Sequence, residues 1–304
     1  MFADGSGFMN AALNGTGKKI RSNTSAGCAA GNSATQAQFD DQIADFVANV
    51  VPAWTADASS GVAGKLTDAT RSIHVNGAGH EIDQTFIKGL IGGMCLDQIV
   101  NNYIQPCQMD SGTRRDDNTN GILSGDKNYT DMEHKWDEAF GYLYGQVDNA
   151  KSTDFSANLV STGTTLFKYL SKVDGSNDPG IAKRIFDAFK LGRAAIVAGA
   201  YDVRDAQANI LKIHLSKVIG YKSVDYLEGY MSKMAAGNTA DAFHALSEGY
   251  GFIMSLQFTN DGNDAPYFTK AEVDGMLSKL SNFWNVNNSD LTSMVSQIKS
   301  KMSI

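Results

Sequence analysis

Apolar side chains recur along this chain at steps of three and four residues, the spacing that gathers them on one face of an α-helix. Phe39, Ile43, Phe46, Val47 and Val50 make one such stripe. Phe86, Leu90 and Met94, followed by Ile99 and Tyr103, make another. The pattern returns at Ile181, Ile185, Phe189 and Ala195, at Ile210, Ile213, Val218 and Tyr226, and at Val273, Met276, Leu277 and Leu280. No run of alternating β-branched residues rivals these stripes. Pro52, Pro106, Pro179 and Pro266 stand near their ends, where helices stop. The pattern predicts an all-α fold, a bundle of about eight helices joined by polar connections.

The polar stretches divide the chain. Residues 1–35 are rich in Gly, Ser, Asn and Ala and read as an irregular N-terminal arm. Residues 105–127 carry Asp110-Ser111-Gly112 and a second acid-rich run at 116–121, and read as a long loop. The turn cluster at 174–180 marks a boundary between a first helical half, 36–175, and a second, 176–304. Another loop spans Asn260-Asp261-Gly262-Asn263-Asp264. Acid-and-glycine loops invite a calcium reading, but neither has the EF-hand spacing with its distal Glu, so both read as solvated.

One segment repeats. Asn128, Asp131, His134, Glu138 and Gly141 are matched in register by Asn238, Asp241, His244, Glu248 and Gly251, with the aromatic pairs Phe140/Tyr142 and Tyr250/Phe252 flanking each glycine. An internal duplication accounts for the match, with motif helices over 128–145 and 238–257. Asn128 and Asn238 suit N-caps, which places Asp131 and Asp241 at the third helical position, facing the positive helix end. Steps of three and four then align Asp, His and Glu on one stripe. A glycine inside a helix costs roughly 1 kcal/mol, so Gly141 and Gly251 imply close approach by another backbone or a ligand.

His and Glu four apart offer two metal ligands from one helix. Two such helices facing each other would supply His134, Glu138, His244 and Glu248, a two-His, two-carboxylate set suited to iron or another divalent metal. Asp131 and Asp241 would then support or cap. The plainer reading makes each His–Glu pair a hydrogen bond that braces its helix. Lys88 and Arg193 sit in apolar helical runs and are candidate ligand contacts, or partners for carboxylates such as Glu138 and Glu248. His74 and His80 flank Asn76-Gly77-Ala78-Gly79 and read as loop histidines, while His214 reads as mid-helix and unpartnered.

Charge and composition narrow the partners. A net charge of -7 argues against nucleic acid, which needs clustered Lys and Arg. Lys18-Lys19-Arg21 and Arg114-Arg115 are short and polar in context. No apolar stretch approaches ~20 residues, so no membrane span is expected, and the first residues lack a signal-peptide pattern. Cys28, Cys95 and Cys107 form no C-x-x-C pair; Cys95 reads as core, and spacing leaves open whether one disulfide forms. No nucleophile elbow, phosphate loop or H-E-x-x-H motif is present.

The block Tyr129-Thr-Asp-Met-Glu-His134-Lys-Trp136-Asp-Glu138-Ala-Phe-Gly-Tyr142-Leu-Tyr-Gly145 resembles the bacterial domain of unknown function 4856. The likeness continues through Gln84–Gly93, Leu96–Tyr103, Gly192–Ile196 and His244–Phe252, covering most of 20–300. It implies no activity, but implies an extracytoplasmic home: periplasmic, outer-membrane-anchored or secreted, with a lipid-anchored form in a longer precursor. A looser likeness is to imelysin-like proteins, duplicated helical envelope proteins associated with iron uptake, whose motif is G-x-H-x-x-E. Here Met132 and Asp137, then Ala242 and Ser247, stand where that Gly and Glu would be, so the likeness reaches architecture more than residues.

The resulting expectation is an extracytoplasmic protein that binds a small ligand, metal ion or metal complex, in the manner of iron acquisition, through the two His-x-x-x-Glu helices. The alternatives are a metal-dependent hydrolase, with Glu138 or Glu248 as general base, and a non-catalytic helical interaction module whose His/Glu pairs are structural.

Overall fold

The computed structural model describes residues 33–145 and 165–304. Most of the expected N-terminal arm, with Lys18, Lys19, Arg21 and Cys28, lies outside these residues. Among the described residues there are eleven α-helices and one two-stranded hairpin, so the fold is all-α as the apolar stripes predict.

The axis of the bundle is α8 (Tyr201–Ala235), a helix of 35 residues and therefore about 50 Å. Its buried positions, among them Leu211, Leu215, Val218, Leu227 and Tyr230, fall at helical spacing on the sides that neighbours cover. Those neighbours are α6 (Thr165–Ser176), α7 (Ile181–Val197), α9 (Thr239–Ser255) and α11 (Asn288–Met302). The helix α2 (Ile82–Leu90) lies across α9 and runs on through two wide π-type turns, Ile91–Leu96 and Ile99–Tyr103. α1 (Ser33–Asp45) packs on α2, α5 (Asp131–Tyr144) packs on α7, and α10 (Lys270–Lys279) packs on α9.

Three expectations change. The segment 105–127 contains two short helices, α3 (Pro106–Met109) and α4 (Arg114–Thr119), tied down where the buried Arg204 guanidinium grips Asp110 at 2.7 and 2.9 Å. A hairpin, β1 (Gly64–Thr67) and β2 (Ser72–Val75), forms where no strand was expected; its strands are too short to show an alternating stripe. Its turn is held by Asp68, whose carboxylate accepts the amides of Thr70 and Arg71. Finally, the cluster at 174–180 is only a tight turn between α6 and α7. There Asp174 accepts the amides of Gly180 and Ala182, and one apolar core, from Phe39 to Met302, runs past it without a break.

The crossing of α2 and α9 depends on glycines. A methyl group at Gly251 would lie 2.7 Å from the Thr85 carbonyl oxygen and 2.8 Å from the Gly89 amide nitrogen, so only glycine lets the two backbones meet there. One turn on, Gly92 in the first wide turn faces Ser255, whose hydroxyl reaches the carbonyls of Lys88 and Gly89 just ahead of that turn. The expectation of close approach holds for Gly251. It fails for Gly141, which faces open space.

The two glycines therefore predict opposite outcomes. Gly251→Ala should destabilise by at least about 2 kcal/mol, because backbone cannot yield as a side chain can. Gly141→Ala should be neutral or stabilise by up to about 1 kcal/mol through helix propensity. Denaturant unfolding of both variants measures this, and equal effects would contradict the packing described.

Candidate functional site

The two copies of the repeated motif have different surroundings. α5 packs against α7 and α4, and α9 against α8 and α2, so the motif helices do not face each other. The first copy is mostly surface. Thr130, not Asn128, caps α5: its hydroxyl accepts the Glu133 amide while Glu133 returns to the Thr130 amide at 2.7 Å. Asp131 is thus the first helical residue rather than the third, and is exposed. His134 stacks on Tyr129 with ring centroids 5.0 Å apart, and its Nε2 lies 3.8 Å from Glu138, which also pairs with Lys135. The His134 side chain is 42% exposed, so this pair contributes little to stability. α5 is held instead by Trp136, its ring packed against Gly192 and its indole N–H donated to the Phe189 carbonyl, and by Arg193, which pairs with Glu133 and Asp137 rather than Glu138.

The second copy is part-buried and connected. Asn238 precedes α9 but its side chain gives no cap; the Asp68 carboxylate, arriving from the hairpin, accepts the Asp241 amide at 2.9 Å. Asp241 stands at the third helical position as expected, yet its carboxylate pairs with Lys233 and Arg71. Burial works against the Asp241 charge, but those two cations more than offset it and hold its carboxyl below the usual range. His244 Nδ1 lies 2.6 Å from a Glu81 carboxylate oxygen, and Nε2 lies 3.5 Å from Glu248. Glu248 in turn meets the Lys88 ammonium at 3.1 Å, and Lys88 also donates to Gln84 at 2.7 Å.

A polar chain therefore runs Glu81–His244–Glu248–Lys88 along the α2–α9 crossing. It ends on the Tyr169 and Tyr226 phenols, which meet Lys88 and Glu248. Burial opposes the Lys88 charge, but Glu248 and Tyr169 outweigh it, and the lysine is held above its ordinary value. Burial, reinforced by Glu248, pushes the Tyr226 phenol well above the ordinary range, so it stays a neutral donor. Lys172 is lowered, first by burial and then by Lys222 and Lys168. Ser247, between His244 and Glu248, accepts the Glu81 backbone amide at 2.9 Å and so positions the start of α2.

The candidate set divides accordingly. Lys88 and Glu248 are partners, one of the pairings considered from sequence; His134 and Glu138 belong to a different surface. Among the described residues no group of three or more His, Cys, Asp or Glu side chains is placed to hold a metal ion. His244 and Glu248 of the second motif are committed to neighbouring side chains, and the four proposed ligands are carried by helices that pack on different partners. Sequence reasoning missed Glu81, Tyr169 and Tyr226, which come from other elements. The nearest signal was Gly251, whose helix-interior cost pointed to a crossing. His74 is no loop residue: it lies in β2, stacked on Trp54 at 3.7 Å. His80 is part-buried, its Nε2–H donated to the Leu280 carbonyl at 2.8 Å. His214 Nδ1 is buried without a partner, as expected. Asp264 of the acid-and-glycine loop is occupied by Lys212 at 2.6 Å. Cys95 is a free thiol and Cys107 is disulfide-bonded.

Compared with known proteins, residues 2–304 match the family model described as a domain of unknown function, DUF4856. No curated protein and no solved structure matches.

Two outcomes follow. Lys88→Met should cost about 3 kcal/mol, because it leaves the part-buried Glu248 carboxylate without a counter-charge. Lys88→Met/Glu248→Leu should cost well under the sum of the single changes, and additive costs would break the proposed link. Burial also pushes His80 below its ordinary value. Between that folded value and about 6.5 the unfolded chain binds a proton that the folded chain refuses, so this stability is full above about pH 6.5 and lost as pH falls. His214, lowered first by burial, acts with the same sign. Melting temperature should drop between about pH 7.5 and about pH 5.5, and less steeply in His80→Gln; an identical slope in the variant would refute this.

Proposed function

The chain belongs to the DUF4856 family, and since that family is defined by no known activity, we propose from the geometry that it is a non-catalytic helical binding protein whose second His/Glu motif is a structural brace. The observation that supports this is the commitment of every group in that motif. His244 is taken by Glu81 and faces Glu248, and Glu248 is taken by Lys88. An enzyme reading gains nothing from the same atoms, since His244 Nε2 meets a carboxylate rather than a nucleophile or an open reacting position. The leading expectation from sequence, one metal or metal complex held by both motifs, gains no support from the packing, since the two motifs sit on separate helix pairs.

The extracytoplasmic assignment stays part of this proposal. It is supported by the disulfide at Cys107, because such bonds persist in oxidising compartments. No described helix is long and apolar enough to cross a membrane.

Purified protein without a chelating tag, with His134→Ala and His244→Ala variants, provides the test. His244→Ala should lose about 2 kcal/mol of stability and several degrees of melting temperature, while His134→Ala stays within about 0.5 kcal/mol of the parent. Metal content should be the same in all three. Stoichiometric metal in the parent that both variants lose would overturn the brace reading.

A further inference from the structure

Beside the brace, and on the other side of α2, the chain forms a cleft of about 290 Å³ between α1, α2 and α9. Its polar walls come from Gln38, Asp41 and Asp45 of α1 and from His80, and its apolar walls from Tyr250 and Met254 of α9 with Ile82 and Leu277. α1, over Ser33–Asp45, contains no Lys or Arg, and Asp41 and Asp45 make no ion pair among the described residues. Asp45 is held in place by the Asn76 amide at 2.7 Å and by Asn49 at 2.7 Å.

The donors of His80, Gln42 and Thr85 point to other protein groups. His80 gives its Nε2–H to Leu280, which leaves the Nδ1 lone pair as its remaining hydrogen-bonding atom. Gln38 gives its amide to Asp274 at 3.0 Å, and its Oε1 meets no donor. Gln42 gives its amide to the Gln38 carbonyl, and Thr85 gives its hydroxyl to Gln42. What remains is two carboxylates and an imidazole lone pair, set against the rings of His80 and Tyr250, whose centroids are 5.2 Å apart. A carboxylate pair that lacks a counter-charge and stands beside aromatic faces is suited to a cation bearing several N–H donors. The Met254, Ile82 and Leu277 wall suits a hydrocarbon body, and the acidic groups do not converge as ligands of a metal ion.

We propose that this cleft binds a small organic cation, an amine or guanidinium on a short aliphatic chain. The charged head lies between Asp41, Asp45 and His80 and the chain against Tyr250 and Met254. The volume is at the small end for ligand pockets, which selects a small molecule over a peptide. The inference deepens the binding-protein reading by naming the ligand class, and it uses none of the brace residues.

Calorimetric titration of the whole chain with agmatine, with putrescine, with a neutral diol of the same chain length, and with Mn²⁺ alone tests it. Agmatine or putrescine should bind saturably at one site and weaken with salt. Asp41→Asn and Asp45→Asn should each lower affinity about tenfold, Asp131→Asn on exposed α5 should not, and the diol should not bind. Asp41 is exposed and has no partner to lose, so its variant keeps the fold even if Asp45→Asn, which disturbs Asn76, does not. Absence of amine binding, affinity unchanged in Asp41→Asn, equal binding of the diol, or Mn²⁺ binding that agmatine cannot displace would each overturn the proposal. Failure here leaves the His244 stability outcome standing, so the two readings fall separately.

Discussion

The crossing of α2 over α9 is the contact on which the rest of this molecule depends. Along α9, His244, Ser247, Glu248, Gly251 and Ser255 follow one another at steps of one to four on a single stripe, and each meets α2 or its first residues. The glycine removes the side chain that would hold the backbones apart, and proximity then makes the polar pairings short. Neither part works alone. Without Gly251 the helices stand off and Lys88 cannot reach Glu248; without the pairings, charged groups would be buried at a cost the apolar contacts could not repay.

That dependence explains why two copies of one pattern behave differently. The Asn, Asp, His, Glu and Gly positions recur in α5 and α9, but α5 meets α7 through Trp136 and Gly192 rather than through its His and Glu. With no helix laid across Gly141, the His134–Glu138 pair stays in solvent and Tyr129 covers it. A motif shared in sequence thus becomes a part-buried brace in one place and a surface pair in another. The difference lies in the partner helix, not in the motif.

The helices themselves were legible, because apolar residues at helical spacing mark a buried face whatever covers it. So was the special status of Gly251, since an unexplained helical glycine signals a close neighbour. Which neighbour was not legible: Glu81 lies 163 residues from the His244 it meets, Tyr226 lies 22 from Glu248 and Tyr169 lies 81 from Lys88, and no local pattern encodes such pairing. The N-cap of α5 was misplaced by two residues because Asn128 and Thr130 are both competent caps, and the Glu133 reciprocal bond chose Thr130. The hairpin was missed because four-residue strands carry too few positions to show a period. His80 is a loop residue, as its glycine neighbours imply, but nothing local shows that the loop folds inward beneath Tyr250 and Phe283.

Native-state hydrogen exchange resolved by residue tests the central claim most directly. If the crossing unites the two helices, the amides of α2 (Ile82–Leu90) and the middle of α9 open together with one free energy, and Ser247→Ala lowers both by the same amount. Exchange of α2 at a lower free energy than α9, with Ser247→Ala touching only one of them, would contradict it.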